Sequence, residues 1–308
     1  MMMYVWLLVG FVLLVKGADY FVEGSSSVAK LLRVPSIVIG LTIVAFGTSA
    51  PELAVSITAA ITGNNEIAVG NVIGSNIFNL LVVVGACGVI APMAIEKKIL
   101  NGDFLLSIVI SAVLAVMLLI DSRVGRIEGI ILLALFVYFL LKTVRSALVN
   151  RVSAAEAFES LSPFRSIVYI LGGITAIVLG GDFVVDSASE IAASFGLSQT
   201  LIGLTIVAMG TSLPELVTSI VASRKGENGL ALGNVVGSNL FNILMVLAAS
   251  AVISPIQVTI LSAFDALFLV VSSGIVYFLG KSEYEISRRE GTVMLVMYAA
   301  YMVYIIVR

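Results

Sequence analysis

Apolar runs of 18 or more residues recur along the 308-residue chain between short polar breaks. That pattern belongs to helices that cross a bilayer. A membrane β-barrel would alternate polar and apolar residues instead. The runs predict ten spans, at about 3–22, 36–61, 67–91, 104–120, 127–142, 166–184, 200–223, 229–253, 262–280 and 292–307. The expected fold is an all-α polytopic membrane protein. The most polar interval, 143–165, carries Arg145, Arg151, Glu156, Glu159 and Arg165, with Lys142 at its edge. It reads as a linker between two five-helix halves, 1–142 and 166–308.

The halves are copies. Shifting the chain by 163 residues aligns 39–92 on 202–255 without a gap, with 33 of 54 positions identical. Upstream, GADYFVEG at 17–24 meets GGDFVVDS at 180–187. Five helices per half is an odd number, so the second half enters the membrane from the opposite side. Ten transmembrane helices would then form two inverted five-helix repeats, an arrangement that recurs in secondary transporters with the substrate at the repeat interface. A stacked solenoid would need three or more copies of a shorter unit.

Basic residues set the orientation, because Lys and Arg concentrate in cytoplasmic loops. With the N-terminus outside, fourteen of the seventeen fall inside: Lys16, Lys30, Arg33, Lys97, Lys98, Lys142, Arg145, Arg151, Arg165, Arg224, Lys225, Lys281, Arg288 and Arg289. Arg123, Arg126 and Arg308 remain outside. The expectation is a multi-pass protein of the cell (plasma) membrane, both termini extracellular and the central linker cytoplasmic.

Composition narrows the chemistry. The chain is 60% apolar and 12% charged, with a mean hydropathy of +1.14. It holds no histidine, which makes zinc chemistry and serine–histidine hydrolysis poor expectations. The single cysteine, Cys87, lies in an apolar run and cannot form an intrachain disulfide. A net charge of −2 without a basic patch gives no sign of nucleic acid. Nothing ahead of the first run reads as a cleaved signal peptide, and no obligatory protein partner is evident.

Two glutamates stand out. Glu52 is the only charged residue between Arg33 and Glu66, and Glu215 the only one between Glu190 and Arg224. A carboxylate at the bilayer centre costs roughly 2.5–3.5 kcal/mol on insertion scales and normally marks an ion path or a proton relay. Pro51 and Pro214 precede them, lack an N–H and clash with the carbonyl one turn earlier. Each helix should therefore kink or open, freeing carbonyls around Ala45–Gly47 and Ala208–Gly210. Such backbone is tolerated at membrane depth only when buried or lining a cavity. Thr48, Ser49, Thr211 and Ser212 add hydroxyls beside it. In the next span, GNVIGSNIFN (70–79) sets Asn71, Ser75 and Asn79 on one helical face, and GNVVGSNLFN (233–242) repeats this with Asn234, Ser238 and Asn242. Gly70/Gly74 and Gly233/Gly237 have the spacing that lets helices approach closely. Two carboxylates among amide, hydroxyl and carbonyl oxygens make a site for a hard cation.

The motifs GTSAPE and GTSLPE, with GNVIGSN and GNVVGSN downstream, strongly resemble the α-repeats of the cation/calcium exchanger superfamily, specifically its prokaryotic sodium/calcium exchanger branch. The resemblance covers essentially the whole chain. It implies a secondary antiporter rather than an enzyme, with Ca²⁺ and Na⁺ as transported substrates, no organic cofactor, and the lipid bilayer as surroundings. It also implies Glu52 and Glu215 as central Ca²⁺ ligands, helped by the Thr48 and Thr211 carbonyls. Sodium sites around them would use oxygens of Ala45, Ser49, Ser75, Ala208, Ser212 and Ser238. The position of Asn242 is an aspartate in the family's archaeal representative, whereas animal members carry asparagine there and at the position of Asn79. The missing titratable group leaves ion stoichiometry open. The first and sixth helices would slide as a pair against the other eight.

A Ca²⁺/H⁺ exchanger, or a K⁺-dependent Na⁺/Ca²⁺ exchanger, would use the same fold, although dedicated proton-coupled members usually read GNA where this chain reads GNV and GSN. An ion channel would use similar oxygens, but rarely an inverted pair of carboxylates. An intramembrane enzyme lacks support in the motifs. Asp19, Glu23, Asp182 and Asp186 are expected as solvated charges at helix ends.

Overall fold

The computed structural model describes residues 2–149, 161–196, 206 and 208–307. Long apolar segments close their backbone hydrogen bonds within helices, the structure lipid demands of an isolated span. In chain order these are α1 (Met2–Leu32), the pair α2 (Ser36–Thr48) and α3 (Ala50–Ile61), α4 (Glu66–Ile90), α5 (Lys97–Asp121), α6 (Arg126–Val149) and α7 (Pro163–Ser194). After the short turn Ala208–Gly210 come α8 (Leu213–Arg224), α9 (Asn228–Ile253), α10 (Ile260–Glu283) and α11 (Arg288–Val307).

Eight of these helices are long and apolar enough to cross a membrane among the described residues, or nine with α2 and α3 as one span broken by a 49° bend. The predicted seventh span, 200–223, is described at 206 and 208–223; residues 200–205 and 207 lie outside the described residues. Within the predicted linker, α6 runs on to Val149 and α7 starts at Pro163. Residues 150–160, with Arg151, Glu156 and Glu159, lie outside the described residues, as does Arg308.

The first and sixth spans are longer than the expected 3–22 and 166–184. Lys16, Asp19 and Glu23 lie within α1, and Asp182 and Asp186 within α7, rather than at helix ends. Lys16 therefore also lies outside any loop. Polarity marked a boundary where none exists, because long side chains carry their charges outward while the helix continues. Lys225 pairs with Asp19 at 3.3 Å and donates to its carbonyl at 3.1 Å, so that carboxylate has a partner.

The centre of the molecule is α4 and α9, whose apolar windows are 72% and 78% buried; that of α11 is 17% buried. Both are wide at a repeated position. Each contains a π-helical segment, Asn79–Val83 and Asn242–Leu247, that begins on a predicted site residue. Such local widenings are frequent at functional sites. Helices α1 and α7 cross antiparallel: a Cβ on Gly10 would lie 2.9 Å from the Gly180 carbonyl, and one on Gly17 2.9 Å from that of Gly173. Only glycine lets the backbones come this close.

Four two-residue strands, absent from the predicted all-helical pattern, tie loops of one half to the other. Strand β1 (Met93–Ala94) pairs antiparallel with β4 (Glu285–Ile286), and β2 (Arg123–Val124) with β3 (Ile256–Gln257). Turn residues too short to carry a hydrophobic period leave no trace in a span reading.

Candidate cation site

Both glutamates sit on a break in a helix. Ser49 (φ −87°, ψ 11°) separates α2 from α3, and Ser212 (φ −95°, ψ 6°) precedes α8. These angles fall near the bridge region between helix and strand. Pro51 and Pro214 then occupy the first turn of the new helix, where a missing N–H costs no intrahelical bond. Glu52 and Glu215 follow in that same first turn. A carboxylate there lies against the positive end of the helix dipole, one reason the fold accepts it so deep.

The break frees less backbone than the proline suggests. The Ala45 carbonyl accepts the Ser49 N–H at 3.0 Å. It is therefore not released, contrary to the reading of freed carbonyls from Ala45 to Gly47. In the second half the Met209 carbonyl accepts the Ser212 N–H at 3.2 Å, and Ala208 opens the short turn Ala208–Gly210.

The carboxylates are fully buried and each is held by the opposite half. Ser212 donates to Glu52 Oε1 at 3.0 Å, and Ser49 donates to Glu215 Oε1 at 2.7 Å. Ser75 and Ser238 add donors from α4 and α9, at 3.3 Å to Glu52 Oε1 and 3.4 Å to Glu215 Oε1. The exchange is reciprocal, as at a two-fold interface where i contacts j and j contacts i. Thus Glu52, Glu215, Ser49, Ser212, Ser75 and Ser238 meet in one cluster.

The threonines and the outer asparagines form braces around it. Thr48 donates to Asn234 Oδ1 at 3.0 Å, and Asn234 donates to Ser219 Oγ at 2.9 Å and the Glu215 carbonyl at 3.4 Å. Thr211, Asn71, Ser56 and Glu52 repeat this at 3.4, 2.9 and 3.1 Å. Asn71 and Asn234, on one helical face with Ser75, Asn79, Ser238 and Asn242, hold the helix breaks instead of joining the carboxylate oxygens. The braces differ in burial. Thr48 and Asn234 are fully buried, Thr211 and Asn71 half-buried.

Of eight buried side-chain oxygens left over among the described residues, four fall at repeat-equivalent positions. Glu52 Oε2, Glu215 Oε2, Asn79 Oδ1 and Asn242 Oδ1 are buried and have no hydrogen-bond partner among the described residues. Buried acceptors are nearly always paired, because an unpaired one forfeits about 1–3 kcal/mol of hydration. Two symmetric pairs of them, all oxygen, make a set suited to a hard cation. No group of three or more His, Cys, Asp or Glu is placed to hold a metal ion among the described residues, so neutral oxygens must complete any coordination shell.

Sequence reasoning missed Asn76 and Asn239, which bridge the halves, and Ser56 and Ser219, which receive the braces. All four are identical between the copies. That was the available signal, hidden because Asn76 and Asn239 lie off the i, i+4, i+8 stripe.

Removing one serine donor tests the reciprocity. Ser49→Ala and Ser212→Ala should each weaken Ca²⁺ binding by roughly tenfold, the scale of a lost hydrogen bond to a charged group. Calorimetric titration of the purified protein reads this, and equal losses are expected from the two variants.

The sequence profile described as "Sodium/calcium exchanger protein" matches residues 2–144 and 165–307. The chain belongs to that family. This exchanger is thus a multi-pass membrane antiporter of the cation/calcium exchanger superfamily, not an enzyme. It is 39% identical over 309 residues to "Putative antiporter CaxA" of Alkalimonas amylolytica, covering 96% of each protein. It is 34% identical to "Sodium/calcium exchanger MaX1" of Methanosarcina acetivorans, again over 96% of each. Among solved structures, the sodium-calcium exchanger NCX_Mj soaked with Na⁺ and Ca²⁺ superposes with a TM-score of 0.87 at 32% identity, covering 98% of each chain.

Proposed function

We propose that this exchanger moves Na⁺ against Ca²⁺ by alternating access at a site built from both halves. The observation that carries the reading is the set of four buried, unpartnered oxygens on Glu52, Glu215, Asn79 and Asn242. Two ionised carboxylates balance one divalent ion, or share two or three monovalent ones. Neither charge set leaves room for the other at low dielectric, so Na⁺ and Ca²⁺ compete. Exchange of three Na⁺ for one Ca²⁺ carries net charge, and inward Na⁺ and voltage gradients then drive Ca²⁺ out. Thr48 and Thr211 contribute carbonyls, and Ala45, Ser49, Ser75, Ala208, Ser212 and Ser238 contribute oxygens to Na⁺.

The antiparallel crossing of α1 with α7 supports two inverted five-helix repeats, ten spans in all, joined by a cytoplasmic linker that the helix ends at Val149 and Pro163 shorten from the expected 143–165. The bias of basic residues toward one set of loops supports both termini outside. The α1–α7 pair, closely packed on itself, slides against the rest. The carboxylates and the serines and asparagines around them are fully buried, which supports a closed site, with half-buried Thr211 and Asn71 on the side nearer to solvent.

Proteoliposomes loaded with Na⁺ and diluted into Na⁺-free buffer should take up ⁴⁵Ca²⁺, whereas choline-loaded vesicles should not. Uptake driven only by a pH gradient would overturn Na⁺ coupling in favour of Ca²⁺/H⁺ exchange. A requirement for K⁺ would mark the K⁺-dependent class.

A further inference from the structure

Asn76 on α4 and Asn239 on α9 form a closed loop of amide hydrogen bonds across the two halves. Asn76 Nδ2 donates to the Asn239 carbonyl at 3.1 Å, and Asn239 Nδ2 donates to the Asn76 carbonyl at 3.3 Å. Their side-chain oxygens are taken as well. Asn79 Nδ2 donates to Asn239 Oδ1 at 3.2 Å, and Asn242 Nδ2 donates to Asn76 Oδ1 at 3.1 Å. Asn76, Asn79 and Asn242 are fully buried and Asn239 is 4% exposed.

An amide has a donor end and an acceptor end of nearly equal shape, so its orientation is decided by its neighbours. Turning Asn79 over would set its oxygen against Asn239 Oδ1, two acceptors face to face. Turning Asn239 to relieve this would set its oxygen against the Asn76 carbonyl. The chain of choices ends there, because a backbone carbonyl held in a helix cannot turn. The same sequence runs from Asn242 through Asn76 to the Asn239 carbonyl.

We infer that Asn76 and Asn239 are positioning residues, a clasp anchored on two backbone carbonyls that obliges Asn79 and Asn242 to offer oxygen to the cation. An aspartate at 79 or 242 could keep this contact only with its proton on, donating to the facing Oδ1, so the net charge of the site stays with Glu52 and Glu215. Because each clasp residue orients a ligand of the other half, the two halves present their oxygens together. This inference rests on the proposed ion site and adds the residues that aim it.

The test is a pair of double-mutant cycles on the full-length protein in proteoliposomes, Asn239→Ala with Asn79→Ala and Asn76→Ala with Asn242→Ala. Each clasp variant should raise the KM for Ca²⁺ roughly tenfold, the scale of misdirecting one hydrogen-bonding group at a charged partner, with kcat little changed. A residue acting only through another shows no further effect once that other is gone. Asn239→Ala in the Asn79→Ala background should therefore leave KM where Asn79→Ala put it, and likewise for the second pair. Effects that multiply, or an unmoved KM in the clasp variants, would overturn the inference. So would failure of both clasp variants to fold while Glu52→Gln folds, which would assign the asparagines to stability. Glu52→Gln reports on the site separately: wild-type exchange in that variant would remove the site, whereas its loss alongside silent clasp variants would remove the clasp alone.

Discussion

Glu52→Gln and Glu215→Gln should each abolish Na⁺-driven Ca²⁺ uptake while leaving the protein folded and at least as heat-stable as wild type. Glutamine preserves the shape of the side chain and can still accept the serine hydrogen bonds at 2.7–3.4 Å. What it removes is half the negative charge available to a divalent ion. Truncating one partner of a buried charge pair typically costs about 2–5 kcal/mol. That corresponds to a loss of roughly 30-fold to several thousand-fold in affinity at about 1.4 kcal/mol per decade. Stability should move the other way, since an uncompensated buried carboxylate is expensive and its neutral isostere is not. Uptake of ⁴⁵Ca²⁺ and thermal denaturation in detergent, measured on the same preparations, check both halves of the expectation. Uptake surviving either substitution would sink the site.

Gly173→Leu should destabilise the protein and stop transport, whereas Gly172→Leu, one residue away, should do neither. A Cβ on Gly173 would lie 2.7 Å from the Phe21 backbone nitrogen and 2.8 Å from the Gly17 carbonyl. Both obstacles are backbone, so no side chain can move aside and the crossing of α1 with α7 must open. Overpacking of this kind costs about 1–3 kcal/mol and occasionally more, and it disrupts the pair proposed to slide. Gly172 is exposed, and a Cβ there meets no described atom within 4 Å. Thermal unfolding and uptake for the two variants separate a packed crossing from a general intolerance of leucine.

Much of the site was legible in one sequence because the chain contains its own alignment. A glutamate in an apolar run is ambiguous alone. The same glutamate at the same place 163 residues later, behind the same proline, removes that ambiguity. The repeat likewise exposed Ser49, Ser75 and Asn79 with their counterparts Ser212, Ser238 and Asn242. Helix ends were less legible. The polar residues Lys16, Asp19 and Glu23 suggested a first span ending near 22, although α1 continues to Leu32. A charge on the outer face of a long helix and a charge in a loop give the same local composition.

The sequence by itself determined a helical membrane protein, a duplicated half, two deep carboxylates and a family. These follow from local quantities: hydropathy summed over a span, identity at a fixed shift, and the inability of proline to continue a hydrogen-bond ladder. Only the tertiary structure decided which donor meets which acceptor. Ser49 serves Glu215 rather than the nearby Glu52, and Asn71 braces a helix break rather than joining the cluster. Asn76 aims Asn242, a residue 166 positions away. Hydrogen bonds depend on distance and direction between groups that the chain brings together from opposite halves, and no periodicity along one strand of sequence contains that information.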